Sequence, residues 1–168
     1  MKSILLVGLL AAIAAPSLAN EPISNRLIDY EAFQKIVVES GQEREPRRLT
    51  EAAFLNMLAK GNVILLDARS DSRYAMRHVK GAVNLPFTDF TEAALAKIIP
   101  SKDTKILIYC NNNFEGSPIA FASKAPSASL NLATYTSLKS YGYTNVYELG
   151  PLLDVATTKI PFAGSEVK

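Results

Sequence analysis

The chain has 168 residues, enough for one domain with a substantial core. Its 18 basic and 16 acidic residues nearly cancel, which excludes a protein that grips nucleic acid by charge; Arg44, Arg47 and Arg48 are too few and too interrupted to change that. With a single cysteine, no internal disulfide can staple the fold.

In chain order, Met1-Lys2 is a short positive start, and residues 4–14 are an unbroken apolar and small run. Pro16 ends the run, and Ser17-Leu18-Ala19 supplies the small residues of a leader cleavage site. The run is shorter than the ~20 residues that span a bilayer, so no lasting membrane anchor is expected. Residues 1–19 are therefore read as a signal peptide, with the mature protein periplasmic or secreted. Leu27, Tyr30, Phe33 and Val37 recur at near-helical spacing and predict an amphipathic helix over 25–40. The polar stretch 41–46, broken by Pro46, is expected to be a linker, so residues 20–46 form an N-terminal helix and linker ahead of a domain at 47–157 and a tail at 158–168.

Within that domain, 47–49 predict a short strand. Thr50 is the N-cap of a helix carrying Phe54, Leu55 and Leu58 and stopped at Lys60-Gly61. Residues 63–66 (Val-Ile-Leu-Leu) and 106–109 (Ile-Leu-Ile-Tyr) are short, wholly apolar runs, as strands buried on both faces require. Shorter strands are predicted at 83–85 and 146–149, and helices at 91–99 and 129–141, stopped by Pro100 and Gly142. Between Cys110 and the last helix, 111–128 shows no period. Strands alternating with helices predict an α/β fold: a three-layer sandwich with a central, mainly parallel sheet and helices on both faces.

Ligands in such sheets gather at the carboxyl ends of the strands. Two segments end there in polar residues. One is Leu66-Asp67-Ala68-Arg69, followed by Tyr74, His78 and Gly81-Ala82-Val83-Asn84-Leu85-Pro86; the other is Ile108-Tyr109-Cys110 followed by Asn111, Asn112, Asn113, Phe114, Glu115 and Gly116. A lone cysteine in an exported chain is an inert core thiol, half of an intermolecular bridge or a reactive group. Its place just past a buried strand favours the last. Successive loop N–H groups can form a nest that binds anions and favours thiolate, with the amides of 111–116 as the candidate cradle.

The ordered series of Asp-x-Arg, Tyr, His, Gly-Ala-x-Asn-x-Pro, Tyr-Cys, Gly-Tyr and Asn-Val-Tyr-Glu-Leu closely resembles the rhodanese-like family over residues 49–153. The resemblance implies a sulfurtransferase whose Cys110 carries a persulfide sulfur from a small anionic donor, such as thiosulfate, to a thiol or protein acceptor. It implies no cofactor and no metal. It gives Asp67 and Arg69 as a mainly structural charge pair, and His78 as a packing and hydrogen-bonding residue. The chain departs from the family in three places. Glu115 stands where the loop usually closes with Arg or Lys, and no Lys or Arg falls between Cys110 and Lys124. Residues 117–128 delay the following helix, and Gly150-Pro151, with no tryptophan, replaces the family's ending. A Glu115 facing the pocket would disfavour thiolate and repel an anionic donor. The side chains of Asn111, Asn112 and Asn113 are then the substitute hydrogen-bond donors. The missing arginine excludes the related phosphatase and arsenate-reductase chemistry. Two functions follow: a periplasmic sulfurtransferase, or a rhodanese-like binding or redox-sensing module with weak turnover.

Overall fold

A computed structural model describes residues 23–167; the expected signal peptide lies outside them. The first helix, α1 (Tyr30–Arg44), starts where Asp29 Oδ1 accepts the Ala32 N–H at 2.8 Å. It does not stop at residue 40 but runs through the stretch expected to be a linker. Gly41 costs a helix about 1 kcal/mol in propensity, and packing against the last helix offsets it: Lys139 there reaches Glu43 at 2.5 Å and Glu39 at 3.7 Å. Pro46 falls in the short turn after the helix, where a missing N–H does no harm.

Next come β1 (Arg48–Leu49), α2 (Glu51–Ala59), β2 (Ile64–Asp67) and α3 (Asp71–Met76), then β3 (His78–Val79), β4 (Val83–Asn84), α4 (Glu92–Ile98) and β5 (Ile106–Tyr109). Thr50 and Thr91 cap α2 and α4, each hydroxyl accepting an N–H of the first turn. After β5 the chain makes β6 (Phe114–Glu115), α5 (Leu130–Ser140), β7 (Val146–Leu149), β8 (Leu153–Asp154) and β9 (Phe162–Ala163). Five strands form one parallel sheet in the order β1-β7-β5-β2-β4. Its register sets Asp67 beside Tyr109, so the residues that follow β2 and β5 emerge at one edge.

Alternation along these strands builds two cores. Leu65, Leu107, Tyr109 and Leu149 face Phe54 of α2, while Leu66, Ile106, Ile108 and Val146 face Leu95 of α4 and Tyr135 and Leu138 of α5. The result is the expected three-layer α/β sandwich. Two segments are more firmly built in than their sequences suggest. The residues read as a tail pair with β3 through β9, Val79 opposite Phe162, and Phe162 packs edge-on against Phe114 at 5.1 Å. Gly164 allows this return: at φ 122° its position leaves a Cβ only 2.5 Å from the Met76 carbonyl oxygen. Residues 117–128, which showed no period, bury Ala120 and Phe121 against the same core.

Candidate active site

Beneath the site lies a buried charged network. Asp67 and Arg69, at the end of β2, pair through Nε–Oδ1 at 2.9 Å and Nη2–Oδ2 at 2.5 Å, and the Tyr109 hydroxyl donates to Asp67 Oδ2 at 2.5 Å. Arg69 also donates to the carbonyls of Ala120 and Arg77, both at 2.9 Å. Burial works against the Arg69 charge, but hydrogen bonding and attraction to Asp67 outweigh it, and the guanidinium is held more firmly protonated than usual. Burial, and then the Asp67 charge, push the Tyr109 hydroxyl well above the ordinary phenol range, so it remains a donor. This network fixes the loop edge; none of its three members lines the cavity at Cys110. His78 is likewise engaged elsewhere, stacked on Tyr74 at 3.8 Å with Nδ1 2.8 Å from the Tyr74 carbonyl.

Cys110 follows β5 directly and is 1% exposed. Its sulfur lies 3.4 Å from Ser129 Oγ, while the Asn113 N–H donates to the Cys110 carbonyl at 3.2 Å. Ser129 stands at the N-terminus of α5 and spends no side-chain hydrogen bond on capping it, which leaves the hydroxyl for the sulfur. The insertion thus returns the helix start to the thiol despite its length. This contact, with the positive end of the helix, suits negative charge on sulfur.

The three asparagines serve the loop itself. Asn111 Nδ2 donates to the Ala122 carbonyl at 2.8 Å, and Asn112 exchanges two bonds with the Lys124 backbone, at 2.7 and 3.0 Å. Asn113 accepts the Cys110 N–H at 2.8 Å and donates to the carbonyls of Leu149 at 2.8 Å and Pro151 at 3.2 Å. Their amides bracket the insertion and the end of β7. The expected cradle over 111–116 is also shorter than anticipated. Phe114 is wholly buried in the core and Glu115 is exposed, because the two form β6 against β8 and side chains alternate along a strand. Gly116 sits against Asp154 at φ 81°. None of the three lines the cavity at Cys110.

That cavity, of 400 Å³, is walled by Cys110, Asn112, Asn113, Ser129 and Asn131, and by three charged residues that the sequence alone does not place at the site: Arg44, Arg48 and Glu148. Arg44 Nη2 lies 2.6 Å from Glu148 Oε1, and Arg48 Nε 3.2 Å from it. Burial pushes the Glu148 carboxyl above the ordinary glutamate range, and the two arginines oppose the shift. Only one signal pointed here: the 44–48 basic cluster, which reads as too weak for nucleic acid but is strong enough for a small cavity.

A buried thiol at the carboxyl edge of a parallel sheet, opening on a polar cavity with cations in its wall, defines a thiol-centred site on an α/β sandwich. The Rhodanese-like domain family matches residues 50–150, and the chain belongs to that family. It is similar to thiosulfate sulfurtransferase PspE of Escherichia coli (strain K12), 28% identical over 95 residues, which are 56% of this chain and 76% of that one. A solved thiosulfate sulfurtransferase from Pseudomonas aeruginosa shares the fold, with TM-score 0.54 at 15% identity over 79% of this chain and 22% of that one. A rhodanese-like domain from Anabaena sp. gives 0.49 at 24% identity, over 71% and 80%.

Proposed function

We propose that the chain is a sulfurtransferase of the exported compartment that carries sulfane sulfur on Cys110. The observation that supports this most is the placement of the Cys110 sulfur, 3.4 Å from Ser129 Oγ at the N-terminus of α5, on the wall of a 400 Å³ polar cavity. The Cys110 thiolate attacks the outer sulfur of an anionic donor such as thiosulfate. The donor's S–S bond breaks, its electron pair leaves on sulfite, and Cys110 keeps a persulfide. A thiolate on a small molecule or protein then attacks the outer sulfur, takes it, and returns Cys110 as thiolate. No net oxidation is required, and no cofactor enters. The leader over residues 1–19 is removed on export, and Asp67, Arg69 and His78 support the loop without touching substrate.

A binding or redox-sensing module is the alternative where Glu115 faces the cavity and repels an anion. Its side chain lies outside the cavity, which removes that support. Mass spectrometry of the mature protein after incubation with thiosulfate tests the proposal. The expected result is a gain of one sulfur atom, lost on adding a thiol and absent in Cys110→Ser. An unmodified wild-type thiol with every donor tried would overturn it.

A further inference from the structure

The loop that follows Cys110 contains no cation before Lys124, yet a persulfide carrier fed by an anion needs positive charge where the donor sits. The cavity wall shows where this chain keeps it. Arg44 belongs to the last turn of α1 and Arg48 to β1, and both precede the family match at residue 50. They line the cavity together with Glu148 of β7.

We propose that Arg44, with Arg48, is the anion-binding group of the Cys110 site, and that Glu148 is a stand-in anion which the donor displaces from the pair. The identity of the group, and not the existence of the reaction, is the new claim; it rests on the sulfurtransferase reading for the nature of the donor. Three features carry it. The arginines are only partly covered, 23% and 38% exposed, so their free N–H groups can meet a ligand. The carboxylate is 1% exposed, and neither of its oxygens accepts a well-aligned hydrogen bond despite the short charge contact. Guanidinium carries five N–H donors, and one poorly aligned carboxylate leaves most of them unspent. The other charge at the pair is Glu45, 3.4 Å from Arg48 and 72% exposed, where solvent screens it. Among the described residues the cavity therefore presents two cations against one buried anion beside its nucleophile.

The test compares two alkylating agents of similar size and opposite character, anionic iodoacetate and neutral iodoacetamide, on the mature protein. Both require thiolate, so the ratio of their rates cancels the thiolate fraction and reads only the local charge met by an anion. Arg44→Gln is expected to lower the iodoacetate-to-iodoacetamide ratio by about fivefold, as one partly exposed charge should. Arg44→Lys should recover most of it. Glu148→Gln, which frees the arginines, should raise the ratio by about the same factor. A residue that merely held the fold would not move the ratio in opposite directions. In thiosulfate assays Arg44→Gln should raise KM with kcat little changed. If Arg44→Gln fails to fold, Glu148→Gln alone decides. A ratio unchanged in both variants, or shifted the same way in both, overturns the proposal. The ratio is measured on the bare thiol, so it stands or falls whether or not wild type forms a persulfide.

Discussion

Replacing the three loop asparagines one at a time by alanine separates a scaffold from a ligand cradle. Asn113 is 5% exposed, and its amide satisfies the Cys110 N–H, the Leu149 carbonyl and the Pro151 carbonyl. Alanine strands at least two of these away from water. At ~1–3 kcal/mol for each buried orphan, Asn113→Ala should cost about 2–6 kcal/mol. Asn111 makes one side-chain bond, to Ala122, and its loss should cost about 1 kcal/mol. Asn112 is half-buried and ties only the exposed Lys124 backbone, where water replaces what is lost, so Asn112→Ala should cost less than ~1 kcal/mol. Urea unfolding followed by circular dichroism gives the order Asn113, Asn111, Asn112. Thiosulfate kinetics on the same variants complete the assay, because Asn112 and Asn113 both line the cavity. The reasoning is refuted if Asn112→Ala raises KM tenfold at unchanged stability while Asn113→Ala costs less than ~1 kcal/mol. That result would make the asparagines donors to substrate after all.

Two further outcomes are expected. Burial holds the Glu148 carboxyl above its ordinary range; between the unfolded value near ~4.3 and that raised value the unfolded chain has lost the proton and the folded one has not, so stability falls as pH rises through the window. Glu148→Gln lacks this effect and should gain on wild type between pH 4 and pH 7 in urea unfolding; a gap that is constant or narrows would show that the arginines win instead. Glu115→Arg should leave the iodoacetate-to-iodoacetamide ratio within about twofold of wild type, since residue 115 is exposed and outside the cavity; a clear rise would place it on the site.

What could be read from the sequence was whatever depends on neighbours along the chain. The runs at 63–66 and 106–109 are apolar at every position because both faces of the sheet are covered, and their shortness and β-branched content argue for strands over a buried helix. Thr50 and Thr91 cap helices with bonds that span three residues. What could not be read depends on distant partners. The last turn of α1 survives Gly41 because Lys139 lies across it, 96 positions from Glu43. The strand at 162–163 is too short to announce itself and exists because β3 offers an edge. Ser129 is 19 residues from Cys110, and only the folded insertion brings its hydroxyl to the sulfur.

The departure at Glu115 is the instructive case, because two of the chain's anomalies explain each other once the fold is known. With Phe114 committed to the core and paired through β6 with Leu153, the pleat sends residue 115 away from the thiol. A charge at that position stands outside the cavity, so a glutamate there does no harm. The positive charge is then needed from elsewhere, and the cavity wall includes the end of α1 and the start of β1, where Arg44 and Arg48 stand. An N-terminal helix that precedes the family's own boundaries thereby gains a role in the site. Packing that helix against α5 keeps Arg44 at the cavity wall. The helix and the altered loop form one device, and removing either should expose the need for the other.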